Sequence, residues 1–173
     1  MLILSCIVAG YAGYEAALRY IPIKAMSAAE ARIAARIGSF NQMSHPPRPT
    51  ANSRSVVRPS PDLLYSACVY DLSGGPVKFT GTVPLGSYWS LSFFAHNTDN
   101  YFVVNDSELG GQAFQFVLVK ENQPPPESVG MAEIIYSPSK TGIVIQRVFV
   151  DKDERVDELD QQRKSTRCAP FSG

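Results

Sequence analysis

From residue 62 onward the chain consists of short segments in which apolar and polar side chains alternate, separated by turn-forming residues. In "PVKFTGTV", Val77, Phe79 and Val83 fall on one face, and a lysine and two threonines fall on the other. This alternation predicts strands that have one buried and one wet face. The other predicted strands are "LLYSACVYDL", "SYWSLSFFAH", "NYFVVN", "AFQFVLVK", "AEIIYS" and "TGIVIQRVFV". We therefore expect a mainly β fold, either an antiparallel β-sandwich or a jelly-roll-like domain.

The first two predicted strands are joined by Gly74 and Gly75, a pair typical of a type I′ hairpin turn. Both faces of "LLYSACVYDL" are mostly apolar, which indicates a central strand, and Asp71 ends one of them. Arg147 lies on an apolar face of "IVIQRVFV". Because an unpaired buried charge is costly, we predict a structural ion pair between Asp71, or Asp62, and Arg147.

The chain has no net charge, since its 16 basic residues balance 16 acidic ones. No run of Lys or Arg occurs, so we predict no nucleic-acid partner. A length of 173 residues suits one domain with a sizeable core.

Three cysteines, Cys6, Cys68 and Cys168, occur without CxxC spacing. An odd number excludes a full disulfide framework. One Cys68–Cys168 bridge remains open in an oxidising compartment, and free thiols are the interpretation that we favour at this point.

The amino-terminal segment is apolar, and residues 1–14, "MLILSCIVAGYAGY", carry no charge. A bilayer core needs about 20 residues of helix. Residues 1–26 supply that length if Glu15 and Arg19 sit among the headgroups, so we predict a transmembrane or signal-anchor helix there. The alternative is a buried amphipathic helix packed on the domain. Because Arg19 and Lys24 follow the apolar run, the positive-inside rule would hold the domain in the cytoplasm.

Two further segments complete the predicted organisation. Ser27 and Glu30 have capping-box spacing, which predicts a short helix at the start of a connector over 27–61 that becomes rich in proline. A β-rich domain follows over 62–173, and a short charged helix is expected after Asp151.

Catalytic signatures are weak in this sequence. A hydrolase-like arrangement of Ser66 or Asp62 with His96 can be drawn, yet no G-x-S-x-G motif supports it. No metal-ligand spacing and no glycine-rich phosphate loop occur either, so we predict no metal and no cofactor.

Aromatic side chains are concentrated between residues 88 and 102. One face of that region mixes apolar rings with hydrogen-bonding groups, as ligand pockets do. With two residues of the preceding strand, it gives a candidate binding surface for an unknown small molecule or protein, made of Asp62, Tyr65, Tyr88, Phe94 and His96. The simpler interpretation is a second packed face.

The segments "VVRPSPDLLYSACVYDLSGGPV", "GSYWSLSFFAHNTDNYF" and "TGIVIQRVFVD" resemble the bacterial domain-of-unknown-function family numbered 1254. The resemblance covers roughly residues 40 to 160 and is carried by Pro59, Asp62, Tyr65, Ser66, Asp71, Leu72, Ser73, Gly75 and Pro76. It implies a β-rich, exported or membrane-anchored protein and supplies no reaction.

The resemblance implies a domain outside the cytoplasm, and we give it more weight than the charge bias of Arg19 and Lys24. We therefore expect a membrane-tethered β-domain of the cell envelope, anchored in the inner membrane and facing the periplasm, that acts as a non-catalytic binding or assembly module. The hydrolase-like enzyme is the alternative. An oligomerisation module with an aromatic interface is the third interpretation.

Overall fold

The structure, a computed structural model, describes residues 2–50, 52–53 and 59–172 and is mainly β. Met1, Gly173, and residues 51 and 54–58 of the predicted connector lie outside the described residues. Three helices occur in the described part, α1 (Leu2–Ile37), α2 (Asp106–Leu109) and α3 (Val156–Arg163). The strands are β1 (Met43–Ser44), β2 (Leu63–Asp71), β3 (Val77–Thr82), β4 (Trp89–Ala95), β5 (Asn100–Asn105), β6 (Ala113–Lys120), β7 (Glu133–Ser137), β8 (Thr141–Phe149) and β9 (Arg167–Pro170).

The strands form two sheets. A five-stranded sheet has the order β1-β2-β8-β4-β5 and is antiparallel throughout. A four-stranded sheet has the order β7-β6-β3-β9, and its β6–β7 pair is parallel, which the sequence did not predict. Parallel neighbours need a connection of a dozen or more residues, and residues 121–132 supply it.

The predicted hairpin at Gly74 and Gly75 is wrong, because β2 and β3 belong to different sheets. The chain instead makes one turn of 3₁₀ helix, Leu72–Gly74, and crosses from one sheet to the other. The Asp71 side chain caps this turn by accepting a hydrogen bond from the Ser73 backbone N–H at 2.8 Å. Gly75 has φ of 123°, a conformation that residues with a side chain rarely adopt.

One hydrophobic core lies between the sheets, with side chains from both. Trp89, Leu91 and Phe93 alternate along β4 and face this core, where each is fully buried. Phe93 of one sheet meets Phe79 of the other edge to face, with ring centroids 5.3 Å apart. We call this the inner face of each sheet, and the opposite side the outer face.

A disulfide joins Cys68 of β2 to Cys168 of β9 and so connects the two sheets through the core. The favoured expectation of free thiols is therefore wrong for these two residues. They are 100 residues apart in sequence, yet their Cα atoms are only 6.5 Å apart. That proximity depends on how the sheets face each other, which the spacing of cysteines does not reveal. Cys6 is free and exposed.

Helix α1 continues through Ser27, so the predicted capping box does not form. The Ser27 hydroxyl donates instead to the Ile23 carbonyl oxygen, one turn earlier, at 2.8 Å. The later part of α1 lies on the outer face of the five-stranded sheet, where Met26 and Ile33 pack with Val69 and Ile143.

The earlier part of α1, residues 3–21, carries large apolar side chains that are mostly exposed, and we call it the helix arm. Ile3 is 79% exposed, Ile7 62% and Tyr11 66%. Within the described residues, no helix combines the length and the apolar character needed to cross a membrane.

The short carboxyl-terminal helix that the sequence predicted is α3. Its Leu159 side chain is fully buried in the core. Arg163, one turn further along the same side of the helix, is also buried, with 1% exposure. The helix therefore brings a guanidinium group into the protein interior.

Candidate functional site

His96 follows β4 and ties α1 to the sheet beneath it. Its Nδ1 lies 3.0 Å from Glu30 Oε1 and its Nε2 lies 3.3 Å from Ser27 Oγ, both on α1. Thr141, at the start of β8, completes the cluster, with its Oγ1 3.2 Å from His96 Nδ1 and 3.3 Å from Glu30 Oε2. Glu30 is almost fully buried, and His96 is one-third exposed. We call Ser27, Glu30, His96 and Thr141 the helix tie.

A network of hydroxyl groups extends from the helix tie into the protein. Ser139 Oγ accepts a hydrogen bond from the His96 backbone N–H at 3.0 Å and lies 3.4 Å from Tyr70 Oη. Tyr70 Oη is also 2.9 Å from Ser137 Oγ and accepts from Tyr101 Oη at 3.3 Å. Burial, with the neighbouring Tyr70, raises the pKa of Tyr101 far above its usual value, so its hydroxyl stays protonated and donates.

A second polar cluster surrounds Ser66, whose side chain is on the inner face of β2 and fully buried. The Ser66 hydroxyl lies 2.8 Å from Nδ1 of His45 and 3.4 Å from Nη1 of Arg163. Arg163 Nε donates to Asp160 Oδ1 at 2.9 Å, and its Nη2 donates to the Pro46 carbonyl oxygen at 3.0 Å. Arg163 also bonds to the Tyr65 carbonyl oxygen. We call His45, Ser66, Asp160 and Arg163 the core polar cluster.

The pKa values within this cluster follow from burial and charge. Burial lowers the pKa of His45, and the nearby Arg163 guanidinium lowers it further. The pKa of Asp160 is also lowered; burial acts in the opposite direction, but hydrogen bonds from Lys164 and Arg163 outweigh it. The cluster thus favours a neutral imidazole beside an ionised Arg–Asp pair.

The two clusters differ in what they could do chemically. In the helix tie, the imidazole of His96 lies between a hydroxyl and a carboxylate, which is the spatial arrangement found in nucleophilic hydrolases. The Ser27 hydroxyl lies closer to the Ile23 carbonyl, however, and donates within its own helix. In the core polar cluster, Ser66 lies in the core between the sheets, and its hydroxyl already contacts His45 and Arg163.

The hydrolase-like pairing of Ser66 or Asp62 with His96 does not form. Ser66 is opposite Gln146 in the β2–β8 register, whereas the strand before His96 ends with Ala95 opposite Gly142. Asp62 is exposed and lies 3.9 Å from Arg48. The imidazole that Ser66 contacts is that of His45.

The predicted ion pair between Asp71 and Arg147 does not form either. Asp71 is opposite Thr141, and Arg147 is opposite Tyr65, so these side chains lie at opposite ends of the β2–β8 ladder. The two rows are six positions apart along the strand, roughly 20 Å. Asp62 does not replace Asp71 in this pair, since its ion pair is with Arg48.

Helix α1 covers only part of the predicted binding surface. Phe94 packs under the helix, and His96 belongs to the helix tie, so both side chains contact α1. Tyr65 and Tyr88 lie towards the other end of the five-stranded sheet, where the Tyr65 hydroxyl accepts from the Ser60 backbone N–H at 3.1 Å. Tyr88 is 46% exposed.

Tyr88 also lines a surface groove of about 430 Å³ at that end of the molecule. Its other lining residues are Pro84, Leu85, Gly86, Ser87, Asp106, Gly110 and Gly111. Arg155 holds one wall, because its guanidinium donates to the carbonyl oxygens of Leu85 and Gly86 at 3.1 and 3.2 Å. Among the residues that the structure describes, no cluster of His, Cys, Asp or Glu could hold a metal ion.

Sequence reasoning missed Arg163, His45 and the role of Glu30. One signal was available, since Arg163 falls on the stripe that Val156 and Leu159 define at helical spacing. The contacts of His45 and Glu30 join segments far apart in the chain, and no local pattern predicts such pairs.

Together these observations define a class of protein: a mainly β domain with two sheets joined by a disulfide, and an amino-terminal helix tied across one outer face. Residues 40–170 match the family described as "Protein of unknown function (DUF1254)", and the chain belongs to that family. The resemblance inferred from the sequence is confirmed.

Two solved structures share the fold. The VPA0106 protein from Vibrio parahaemolyticus is 14% identical with a TM-score of 0.72, over 91% of this chain and 37% of that protein. An uncharacterised protein from Burkholderia cenocepacia is 15% identical with a TM-score of 0.50, over 69% of this chain and 34% of that protein. The present chain thus spans about a third of either structure. No curated protein matches it.

Proposed function

We propose that this chain is a non-catalytic binding or assembly module, a β-sandwich that the helix arm holds at a lipid bilayer in the cell envelope. The observation that carries the proposal is the exposed apolar surface of the helix arm. Ile3, Leu4, Ile7 and Val8 are each at least 59% exposed.

The helix arm carries no charged side chain before Glu15. At about 100° per residue, its large apolar side chains fall on one side, and the small residues Ser5, Ala9, Ala12 and Gly13 fall on the other. An uncharged helix that exposes large apolar side chains favours an apolar environment, and the surface of a lipid bilayer provides one. Its first charge, Glu15, is 3.9 Å from Arg19, in a pair that would suit the headgroup region.

The compartment is inferred from the disulfide. Structural disulfides persist in oxidising compartments, so the Cys68–Cys168 bond supports a periplasmic location next to the inner membrane. Arg19 and Lys24 favour the opposite orientation by the positive-inside rule. We give the disulfide more weight, because a buried covalent bond between the sheets constrains the whole domain, whereas two charges bias only one helix.

The non-catalytic part of the proposal rests on how the polar side chains are used. Those of the core polar cluster bond to one another in the interior, and the helix tie joins α1 to the sheet. Groups that serve as structural contacts in this way are typical of buried polar networks.

Vesicle flotation with the full chain tests the proposal. Ile7→Asp places a carboxylate in the helix arm, which costs about 3 kcal/mol in a bilayer and should weaken vesicle binding roughly a hundredfold. The matched control is Leu85→Asp, since Leu85 is 68% exposed and Ile7 62%. The control should float like the parent. Equal flotation of both variants, or a parent that stays at the bottom of the gradient, would overturn the proposal.

The geometry of the helix tie favours a second candidate function, acyl hydrolysis with Ser27 as nucleophile, His96 as base and Glu30 as its orienting carboxylate. A fluorophosphonate probe separates the two candidates. A hydrolase would form an adduct on Ser27 that Ser27→Ala and His96→Gln abolish. The non-catalytic module would show no adduct on the folded parent.

A further inference from the structure

Arg147 differs from the other arginines that are not fully exposed. Among the described residues these are Arg48, Arg147, Arg155 and Arg163. Three of them form ion pairs with Asp or Glu. Arg48 pairs with Asp153, Arg155 with Asp151 and Glu158, and Arg163 with Asp160. Arg147 has no ion pair and no side-chain hydrogen bond to any described residue, so that part of the chain leaves its guanidinium donors unused. A half-buried guanidinium loses hydration without gaining a partner, which an anionic ligand would supply.

Ser90 provides a second unsatisfied group beside Arg147. It lies directly opposite Arg147 in the β4–β8 register, and both project from the outer face of the five-stranded sheet. Directly opposite residues have Cβ atoms roughly 5 Å apart, so one small ligand can contact both side chains. Ser90 is 1% exposed, and its hydroxyl has no hydrogen-bond partner among the residues that the structure describes. A buried hydroxyl without a partner is uncommon and is satisfied when a ligand accepts from it.

Aromatic rings border this position. Tyr65 is opposite Arg147 on β2, and Phe149 follows on the same face of β8. The Tyr88 carbonyl accepts from the Phe149 backbone N–H at 2.9 Å, which places Tyr88 alongside. Phe149 and Tyr88 are 40% and 46% exposed. Helix α1 covers Val69, Ile143 and Phe94 further along the sheet, as described above.

The charge of the ligand follows from the neighbours of Arg147. On the outer face, the rows on either side of it hold Leu63 and Phe149, and Ala67 and Ile145, none of which is charged. Asn105 lies beyond Ser90 on β5, and the carboxylates on that side, Asp106 and Glu108, accept hydrogen bonds from the Trp89 and Asn105 backbone N–H groups. A single guanidinium favours a monoanion, and its planar fork matches a carboxylate with two parallel hydrogen bonds. The bordering rings favour a flat apolar body.

We propose that Arg147 and Ser90 form a binding site for an aromatic carboxylate, with Tyr65, Tyr88 and Phe149 against its ring. This inference goes beyond the proposed lipid tether and does not depend on it. Arg147 holds the carboxylate, and the Ser90 hydroxyl donates to one carboxylate oxygen.

An NMR titration of the full chain tests the proposal, with sodium benzoate as the probe and the backbone amide shifts of residues 90 and 147 as the readout. Benzamide has the same shape without the charge, and inorganic phosphate has charge without the ring. Benzoate should bind at least tenfold more tightly than either. No binding of benzoate, or phosphate binding as tightly, would overturn the proposal.

Variants locate the site. Arg147→Met should weaken benzoate binding roughly tenfold to a hundredfold, because a charge-assisted hydrogen bond is lost. Arg147→Lys keeps the charge without the planar fork and should fall between parent and Arg147→Met, which keeps the test valid if the methionine variant does not fold. The control is Arg167→Met, since Arg167 is exposed on β9 of the other sheet. Benzoate binding that Arg147→Lys leaves unchanged would also contradict the proposal.

Discussion

Replacing Cys68 and Cys168 together by alanine is expected to lower the free energy of unfolding by about 4.7 kcal/mol. The disulfide closes a loop of 100 residues, and the unfolded chain gains that loop's conformational freedom when the bond is absent. Because domains of this size are typically stable by about 5–15 kcal/mol, the loss is a large fraction of the total. Chemical reduction is a less direct perturbation, since Cys68 is fully buried and Cys168 nearly so.

Urea denaturation followed by the fluorescence of Trp89 measures the effect. The double variant should show a lower unfolding midpoint, and Cys6→Ala serves as the matched control because Cys6 is exposed and unbonded. The control should unfold like the parent. If the double variant unfolds within about 1 kcal/mol of the parent under oxidising conditions, the disulfide does not hold the sheets together as we argue.

Three further predictions concern the interior. Arg163→Met should lower the free energy of unfolding by about 1–3 kcal/mol, because it leaves the carbonyl oxygens of Tyr65 and Pro46 without their donor, while Asp160 keeps its ion pair with Lys164; thermal denaturation measures this. Gly142→Ala should cost about 3 kcal/mol in urea unfolding, because a methyl group there would lie 2.6 Å from Tyr70 Cζ. The pKa of His45 is lowered from 6.5, so the unfolded chain binds a proton that the folded chain resists. Stability should therefore be complete above pH 6.5 and fall as the pH drops below it, and His45→Gln should flatten that decline.

The strands could be predicted from the sequence because their burial is local and periodic. Alternation identified β3, and the apolar segments gave β4, β6 and β8 close to their observed ends. The partners of the strands could not be predicted in the same way. Gly74 and Gly75 are compatible with a hairpin or with a crossing between sheets, and only the global packing selects the crossing.

The polar contacts show the same limit. The sequence indicated that Asp71 is a buried charge. Its carboxylate instead accepts a hydrogen bond from the Ser73 backbone N–H two residues later, a local contact that the prediction of a β-strand does not reveal. Ser27 and Glu30 have capping-box spacing, and their side chains instead contact His96. A short-range pattern cannot distinguish a capping box from a contact with a distant residue, because the same residue types form both.

Cys6 allows one direct test of the central claim, that the helix arm leaves water for lipid while the β-domain keeps its structure. Of the three cysteines it alone is unbonded, so a polarity-sensitive fluorophore can be attached there without altering the disulfide. On addition of vesicles, the emission of the label should shift to shorter wavelength, and a water-soluble quencher should no longer reach it. A label that stays fully quenchable with vesicles in excess would contradict the claim.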